Sequence, residues 1–353
     1  MVNSHYIPQF ILRGFSSDDK ITYCDIDNKK IELRNTRSVF SERGYYSDAL
    51  EKDLCIKAEY LFANLFHNKL EKARYSLTLT ADELFILKKY LIVTSIRYRY
   101  EYTDDEKVMT EKLGAAFTDD FDENLNNILR CENVNDMFNY MKKVPEYFDV
   151  ANLDKLMDSG DVNVHLWAEI KDVIQSYIVF IKPQGTERFL IPDIGKGIYE
   201  GPMSRRKMYG LLEAGMQNPT LLQIATMLTP HDYTIYPLTK DLAILSMSIF
   251  FKLLAESEVT SNVRLPEECP TVSSVLGFGS SNAIKPPKVK MNCGTKEYHY
   301  EVQRVNARDI SHFNCIMMAE AKKYIACAGL DTVKKSAGMV KEYTNRDFSF
   351  NEY

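Results

Sequence analysis

Apolar residues recur at intervals of three and four through Leu50, Leu54, Ala58, Leu61, Phe62, Leu65 and Phe66. That stripe predicts an amphipathic helix over 49–72, with Glu51, Lys52, Asp53 and Glu59 mostly off the buried side. A second helix has its start written beside it. In Thr80-Ala81-Asp82-Glu83 the threonine hydroxyl and the glutamate carboxylate can each satisfy the other residue's backbone N–H, a capping box. Leu84, Leu87, Leu91, Val93 and Thr94 then line one broad face, and the pattern runs to about Tyr100. Arg97 and Arg99 fall in the last turns, where the negative end of the helix dipole favours cations. Softer apolar spacing predicts further helices over 104–132, 134–143 and 152–157. Residues 49–172 therefore read as a helical section without strands.

Elsewhere the pattern alternates. Ile21–Asp25 and Lys30–Leu33 flank the turn Asp27-Asn28-Lys29 and predict a hairpin. A short strand is expected at Gly44-Tyr45-Tyr46. Tyr177–Ile181 and Arg188–Ile191 predict a second hairpin, joined by Pro183-Gln184-Gly185-Thr186, and a glycine-bearing loop runs from Asp193 to Gly201. Helices are expected over 204–216 and 221–228, and 259–281 is irregular. Tyr233–Tyr236 with Ala243–Met247, and Lys288–Cys293 with Tyr298–Val305, predict two more hairpins. Helices over 307–326 and 332–342 close the chain. Strands that come in hairpins indicate an α+β fold with an antiparallel sheet. The helical section 49–172 is a subdomain inserted after the first hairpin, within a single α+β domain over 1–353, and C-terminal helices complete it.

The composition is compatible with that picture. A chain of 353 residues, 45% apolar and 26% charged, can bury a large core without disulfide support. Seven scattered cysteines, with no pair separated by two residues, fit neither a disulfide framework nor a zinc knuckle. With no secretory signal, a cytoplasmic location is expected. No apolar run reaches 18 residues, so no membrane span or membrane partner is expected. The net charge of −5 is unevenly spread. Acids outnumber bases by about ten between Glu101 and Asp161, which makes the helical section a candidate face for a protein partner. Bases gather at Lys196, Arg205, Arg206 and Lys207, and again from Lys285 through Lys288, Lys290 and Lys296 to Arg304 and Arg308. Such clusters are either solvated surface or a nucleic-acid-binding face.

No P-loop, no dinucleotide fingerprint and no helical pair of histidine ligands appears, so no cofactor or metal is named. A nicotinamide-dependent transferase ranks last for that reason. The densest stretch is HYIPQFILRGF, from His5 to Phe15. His5 precedes Tyr6-Ile7-Pro8, which reads as extended backbone, and Phe10, Ile11 and Phe15 would anchor it. His5 is a candidate general acid/base or hydrogen-bond donor to a phosphate, or else it fastens the N-terminus by capping Gln9 or another backbone group. Arg13 and Arg97 have the most apolar neighbours of the arginines. They need an anion or an internal carboxylate such as Glu59. Asp193 ends a strand-like run and opens a loop, a place that suits a base, a metal ligand or a turn residue. It is followed by Ile194-Gly195-Lys196 rather than by Glu-x-Lys, so a His/Arg acid/base mechanism fits better than a two-metal one.

The residues His5, Tyr6, Pro8, Gln9, Phe10, Leu12, Arg13 and Phe15 resemble the opening motif of domain of unknown function family 4238, a mainly bacterial family. Weaker similarities follow at 51–59, at Arg97, at Phe189–Asp193, at Tyr236-Pro237-Leu238 and at Val305-Asn306. Where the family reads Asn-Pro after its strand aspartate, this chain has Ile194-Gly195. The resemblance implies no particular activity; the family's scattered bacterial and viral occurrence is in keeping with accessory, defence or toxin roles. Two functions are carried forward. One is a nuclease-like enzyme or nucleotide-modifying effector with His5, Arg13, Arg97 and Asp193 at its centre, assisted by Gln9 and Asn306. The other is a non-catalytic protein that binds anions or nucleic acid.

Overall fold

A computed structural model describes residues 3–43, 48–99, 173, 176–199, 233–247, 290–292, 297–344, 348 and 350. Within them helices pack on antiparallel-rich sheets, an α+β arrangement. The expected strand at Gly44–Tyr46, the helices over 104–132, 134–143, 152–157, 204–216 and 221–228, and the irregular stretch 259–281 lie outside the described residues.

A four-stranded sheet has the order β3-β2-β13-β7. It is built from β2 (Lys20–Asp25), β3 (Lys30–Asn35), β13 (Tyr324–Cys327) and β7 (Ile191–Pro192), antiparallel throughout. The β2–β3 hairpin is the expected one. Lys29 takes a positive φ of 52° at its turn, and the Asp25 carboxylate accepts the Asn28 N–H at 2.9 Å.

A larger sheet runs β11 (Lys290–Asn292), β12 (Glu297–Val305), β6 (Tyr177–Pro183), β10 (Leu242–Met247), β9 (Tyr233–Thr239) and β8 (Gly197–Tyr199). A further strand, β5 (Ser76–Thr80), also pairs with β12. The β12–β6 pairing is parallel and the others are antiparallel. Every residue of β9 and β10 is buried, so both faces of that hairpin are covered. The β9–β10 and β11–β12 hairpins match the expectation.

Several expectations are corrected. Tyr177–Ile181 does not pair with 188–191. β6 lies between β10 and β12, while Ile191–Pro192 crosses to the other sheet. Pro192 has no N–H to give a ladder, which suits the edge position that β7 takes. The helix expected over 307–326 stops at Glu320, and the chain becomes β13. Residues 49–172 are also not strandless, because Ser76–Thr80 is β5.

The helix expected over 49–72 is interrupted. It comprises α2 (Asp48–Leu54) and α3 (Tyr60–Leu65), with π-helical turns at Cys55–Glu59 and Phe66–Leu70. Each π turn inserts an extra residue and rotates the faces that follow. Phe62, Leu65, Phe66 and Leu70 consequently reach the core, whereas Leu61, counted in the apolar stripe, is 41% exposed. The long helix α4 (Ala81–Arg99) starts with the predicted capping box. Glu83 N–H donates to Thr80 Oγ1 at 3.2 Å and Thr80 N–H donates to Glu83 Oε2 at 2.9 Å. The C-terminal helices are α5 (Ala307–Glu320) and α6 (Leu330–Thr344). In the described residues the buried apolar side chains form one contiguous cluster reaching from Ile7 to Phe348.

Candidate functional site

The N-terminal motif divides into an apolar and a polar side. Asn3–His5 forms β1, paired with β4 (Ser41–Arg43), and Gln9–Arg13 forms the short helix α1. Pro8 sets the entry, since it is extended and its carbonyl accepts the Ile11 and Leu12 N–H groups. Ile11, Leu12 and Phe15 are fully buried. Phe10 packs against Phe62, Phe66 and Tyr90 with ring centroids 5.9–6.3 Å away, and Phe62 and Tyr90 stack on each other. Rings in contact at such geometry add about 0.5–1.5 kcal/mol per pair beyond their buried area.

His5, Gln9 and Arg13 form the polar side. Gln9 Nε2 donates to His5 Nε2 at 3.1 Å. The amide nitrogen can only donate, so the neutral imidazole carries its proton on Nδ1. Arg13 lies one turn beyond Gln9 on the same helix face. It is exposed, and its guanidinium makes no hydrogen bond or ion pair among the described residues. The segment is held from behind by Phe40, whose carbonyl accepts the Tyr6 N–H at 3.1 Å and whose ring meets Tyr6 and Tyr23. Phe40 has φ 50°, a left-handed conformation that a bulky residue adopts only at a cost of about 1–3 kcal/mol. Nothing in the sequence marks that strain.

Asp193 stands behind this face, 1% exposed. Its Oδ1 accepts the Lys322 N–H at 3.0 Å, and its Oδ2 accepts those of Lys323 at 2.7 Å and Tyr324 at 3.0 Å. Burial pushes its pKa up, and the backbone N–H groups pull against that shift. The carboxylate is thus spent on turning the chain from α5 into β13. Gly195 follows with φ 69°, a conformation that glycine takes without strain.

Three of the segments that carry the family resemblance, the opening motif, Phe189–Asp193 and Tyr236-Pro237-Leu238, meet around one small void. Tyr6 and Ile7, Tyr90 and Thr94 of α4, Asp193, and Tyr236 of β9 line it. It has room for roughly one water. The wall on one side is tied by a 2.8 Å hydrogen bond between Ser95 Oγ and the Tyr236 hydroxyl. Arg97 lies one turn past Thr94 in α4, and nothing further of it is described. Tyr90 was not singled out in the sequence, although its spacing of four from Thr94, which was counted on the broad face of this helix, puts both on one side of α4.

The remaining candidates sit elsewhere. Asn306 is the N-cap of α5, its side chain accepting the Asp309 N–H at 3.0 Å. Arg304 is exposed on β12 and donates to the carbonyls of Pro183 and Arg74. Lys290 begins β11, opposite His299. Arg205, Arg206, Lys207 and Lys288 lie outside the described residues. Among the described residues no three of His, Cys, Asp and Glu cluster so as to hold a metal, and no helix is long and apolar enough to cross a membrane.

No curated protein and no solved structure matches the chain. A family model does, described as protein of unknown function (DUF4238), over residues 3–328.

Proposed function

The chain belongs to the DUF4238 family, and from that premise we propose that it is a nucleic-acid-processing enzyme that cleaves phosphodiesters on the polar face of its N-terminal motif. The supporting observation is the contiguity of His5, Gln9 and Arg13: an imidazole whose orientation an amide holds at 3.1 Å, and an exposed guanidinium one turn away. Arg13 would grip two non-bridging phosphate oxygens, a geometry to which its fork is suited. His5 in its protonated, imidazolium form would give its Nδ1 proton to the leaving oxygen as the P–O bond breaks. The ring would return to the neutral state with its remaining proton on Nε2, facing the oxygen of a turned Gln9 amide. The attacking hydroxyl would lose its proton to water as the new P–O bond forms. Such acid/base assistance contributes typically about 10²–10⁴-fold. Arg97 would be a second anion contact.

Asp193, its oxygens occupied by backbone amides, would keep the wall behind the face in position. Arg205, Arg206, Lys207, Lys288, Lys290 and Arg304 would hold the strand, and Asn306 would stabilise the helix behind them. A cytoplasmic accessory or defence role in a bacterium belongs to the same proposal. Incubation with labelled RNA and DNA, with and without divalent metal, tests it. Cleavage by the wild type that falls at least 100-fold in His5→Ala is expected, and equal cleavage by both proteins removes His5 from the mechanism.

A second reading is favoured by the size of the void, which admits about one water and no substrate. In that reading the protein binds anions or nucleic acid without turnover, and its acidic section at 101–161 faces a protein partner. Salt-sensitive binding with no cleavage under any condition is its expected signature.

A further inference from the structure

Away from the N-terminal motif, four side chains converge where the loop before β5 meets the ends of β6 and β12. Tyr75 is 73% exposed, the most open of the large apolar side chains among the described residues. The guanidinium carbon of Arg304 lies 5.8 Å from the centroid of its ring. Arg304 donates to the carbonyls of Pro183 at 3.1 Å and Arg74 at 3.2 Å. Lys182 Nζ donates to the carbonyls of Ala73 and Glu71. Arg74 is exposed, and its guanidinium makes no hydrogen bond or ion pair among the described residues.

Main-chain carbonyls thus position two of these cations, and carbonyls orient a cation without neutralising it. The carboxylates that act on Lys182 are Glu71 and Asp241. Both have other cationic or imidazole partners, His67 at 3.1 Å and Arg188 at 2.9 Å. Burial first, and then the charge of Arg304, push the Lys182 ammonium below its ordinary range. Three cations beside an exposed ring complement a ligand with a flat aromatic face between negative charges.

We propose that Tyr75 is a stacking platform for an unpaired base of a single-stranded nucleic acid, with Arg74, Lys182 and Arg304 holding the flanking phosphates. The choice of nucleic acid rests on the function proposed above. The patch would serve as a docking surface apart from the His5 face. A duplex, with its bases inside, would gain nothing from the ring.

Fluorescence anisotropy on the full chain tests the proposal, using labelled oligodeoxythymidylate and an abasic sugar-phosphate strand of equal length. Tyr75→Ala is expected to weaken thymidylate binding by about 5- to 150-fold, the range for loss of one stacked base, and to leave the abasic strand unaffected. Arg74→Ala should weaken both strands and reduce the slope of log affinity against log salt by about 0.7, one single-strand phosphate. Both residues are exposed, so neither variant endangers folding as Arg304→Ala does. Equal thymidylate affinity in wild type and Tyr75→Ala overturns the platform. So does equal weakening of both strands by Tyr75→Ala, the behaviour of a general polyanion surface, or the absence of binding by the wild type. Tyr75-dependent binding without any cleavage upholds the patch and removes the enzyme. His5-dependent cleavage with unchanged binding in Tyr75→Ala does the reverse.

Discussion

Asp193 grips Tyr324 from both ends of one peptide ladder. Its Oδ2 accepts the Tyr324 N–H at 3.0 Å, and its own N–H donates to the Tyr324 carbonyl at 2.9 Å. The same carboxylate gathers the N–H groups of Lys322 and Lys323. The residue that follows the edge strand β7 is thereby tied to β13, the strand that replaces the end of the expected helix.

Asp193→Asn puts an amide NH₂ against backbone N–H donors. At least one buried N–H then loses its acceptor. The expected destabilisation is about 2–4 kcal/mol, measured by urea denaturation. A loss under ~0.5 kcal/mol would show that the clasp is dispensable.

Gly14 sits where α1 passes over the end of β9. A Cβ there would stand 2.7 Å from Thr239 Cγ2 and 3.0 Å from its Cβ, and the Gly14 carbonyl accepts the Lys240 N–H at 3.0 Å. The two chains cannot separate without breaking that bond. Gly14→Ala is expected to cost about 1–3 kcal/mol through overpacking. The double variant Gly14→Ala/Thr239→Ser, which removes Cγ2, should recover part of the loss in the same assay.

His312 is buried in α5, and its Nδ1 has no hydrogen-bond partner among the described residues. Burial, assisted by the charge of Arg308, lowers its pKa from 6.5 to about 4. The folded state therefore binds this proton less tightly than the unfolded chain. Its contribution to stability is full above pH 6.5 and is lost as pH falls from 6.5 to about 4. Between pH 7 and pH 4.5 the wild type should lose about 2 kcal/mol more than His312→Gln. Parallel stability–pH curves would assign acid sensitivity to other groups.

Gln9 orients His5 without being placed to touch a substrate. Gln9→Glu sets a carboxylate beside the imidazole and should raise the pH at which His5 gives up its proton, by about one unit. The matching limb of the cleavage pH profile should move up by the same amount, while Gln9→Ala changes stability by ~1 kcal/mol or less. A profile unchanged in Gln9→Glu would leave His5 no part in proton transfer.

The sequence by itself determined what neighbouring residues decide. The β2–β3, β9–β10 and β11–β12 hairpins, the Thr80–Glu83 capping box and the packing of Phe10, Ile11 and Phe15 of the opening motif against the core all rest on short-range periodicity and turn chemistry. Tertiary structure decided the partners. Ser76–Thr80 and Tyr324–Cys327 are too short to signal strands next to strong helical patterns, and each becomes one only because an open ladder awaits it on β12 or between β2 and β7. The Asp193 carboxylate meets amides 129 to 131 residues away. No local pattern can record such a meeting, since hydrogen bonds of that range form only after the core has brought the two segments together. The same holds for Phe40, whose left-handed backbone is tolerated because Tyr6 and Tyr23 pack around its ring.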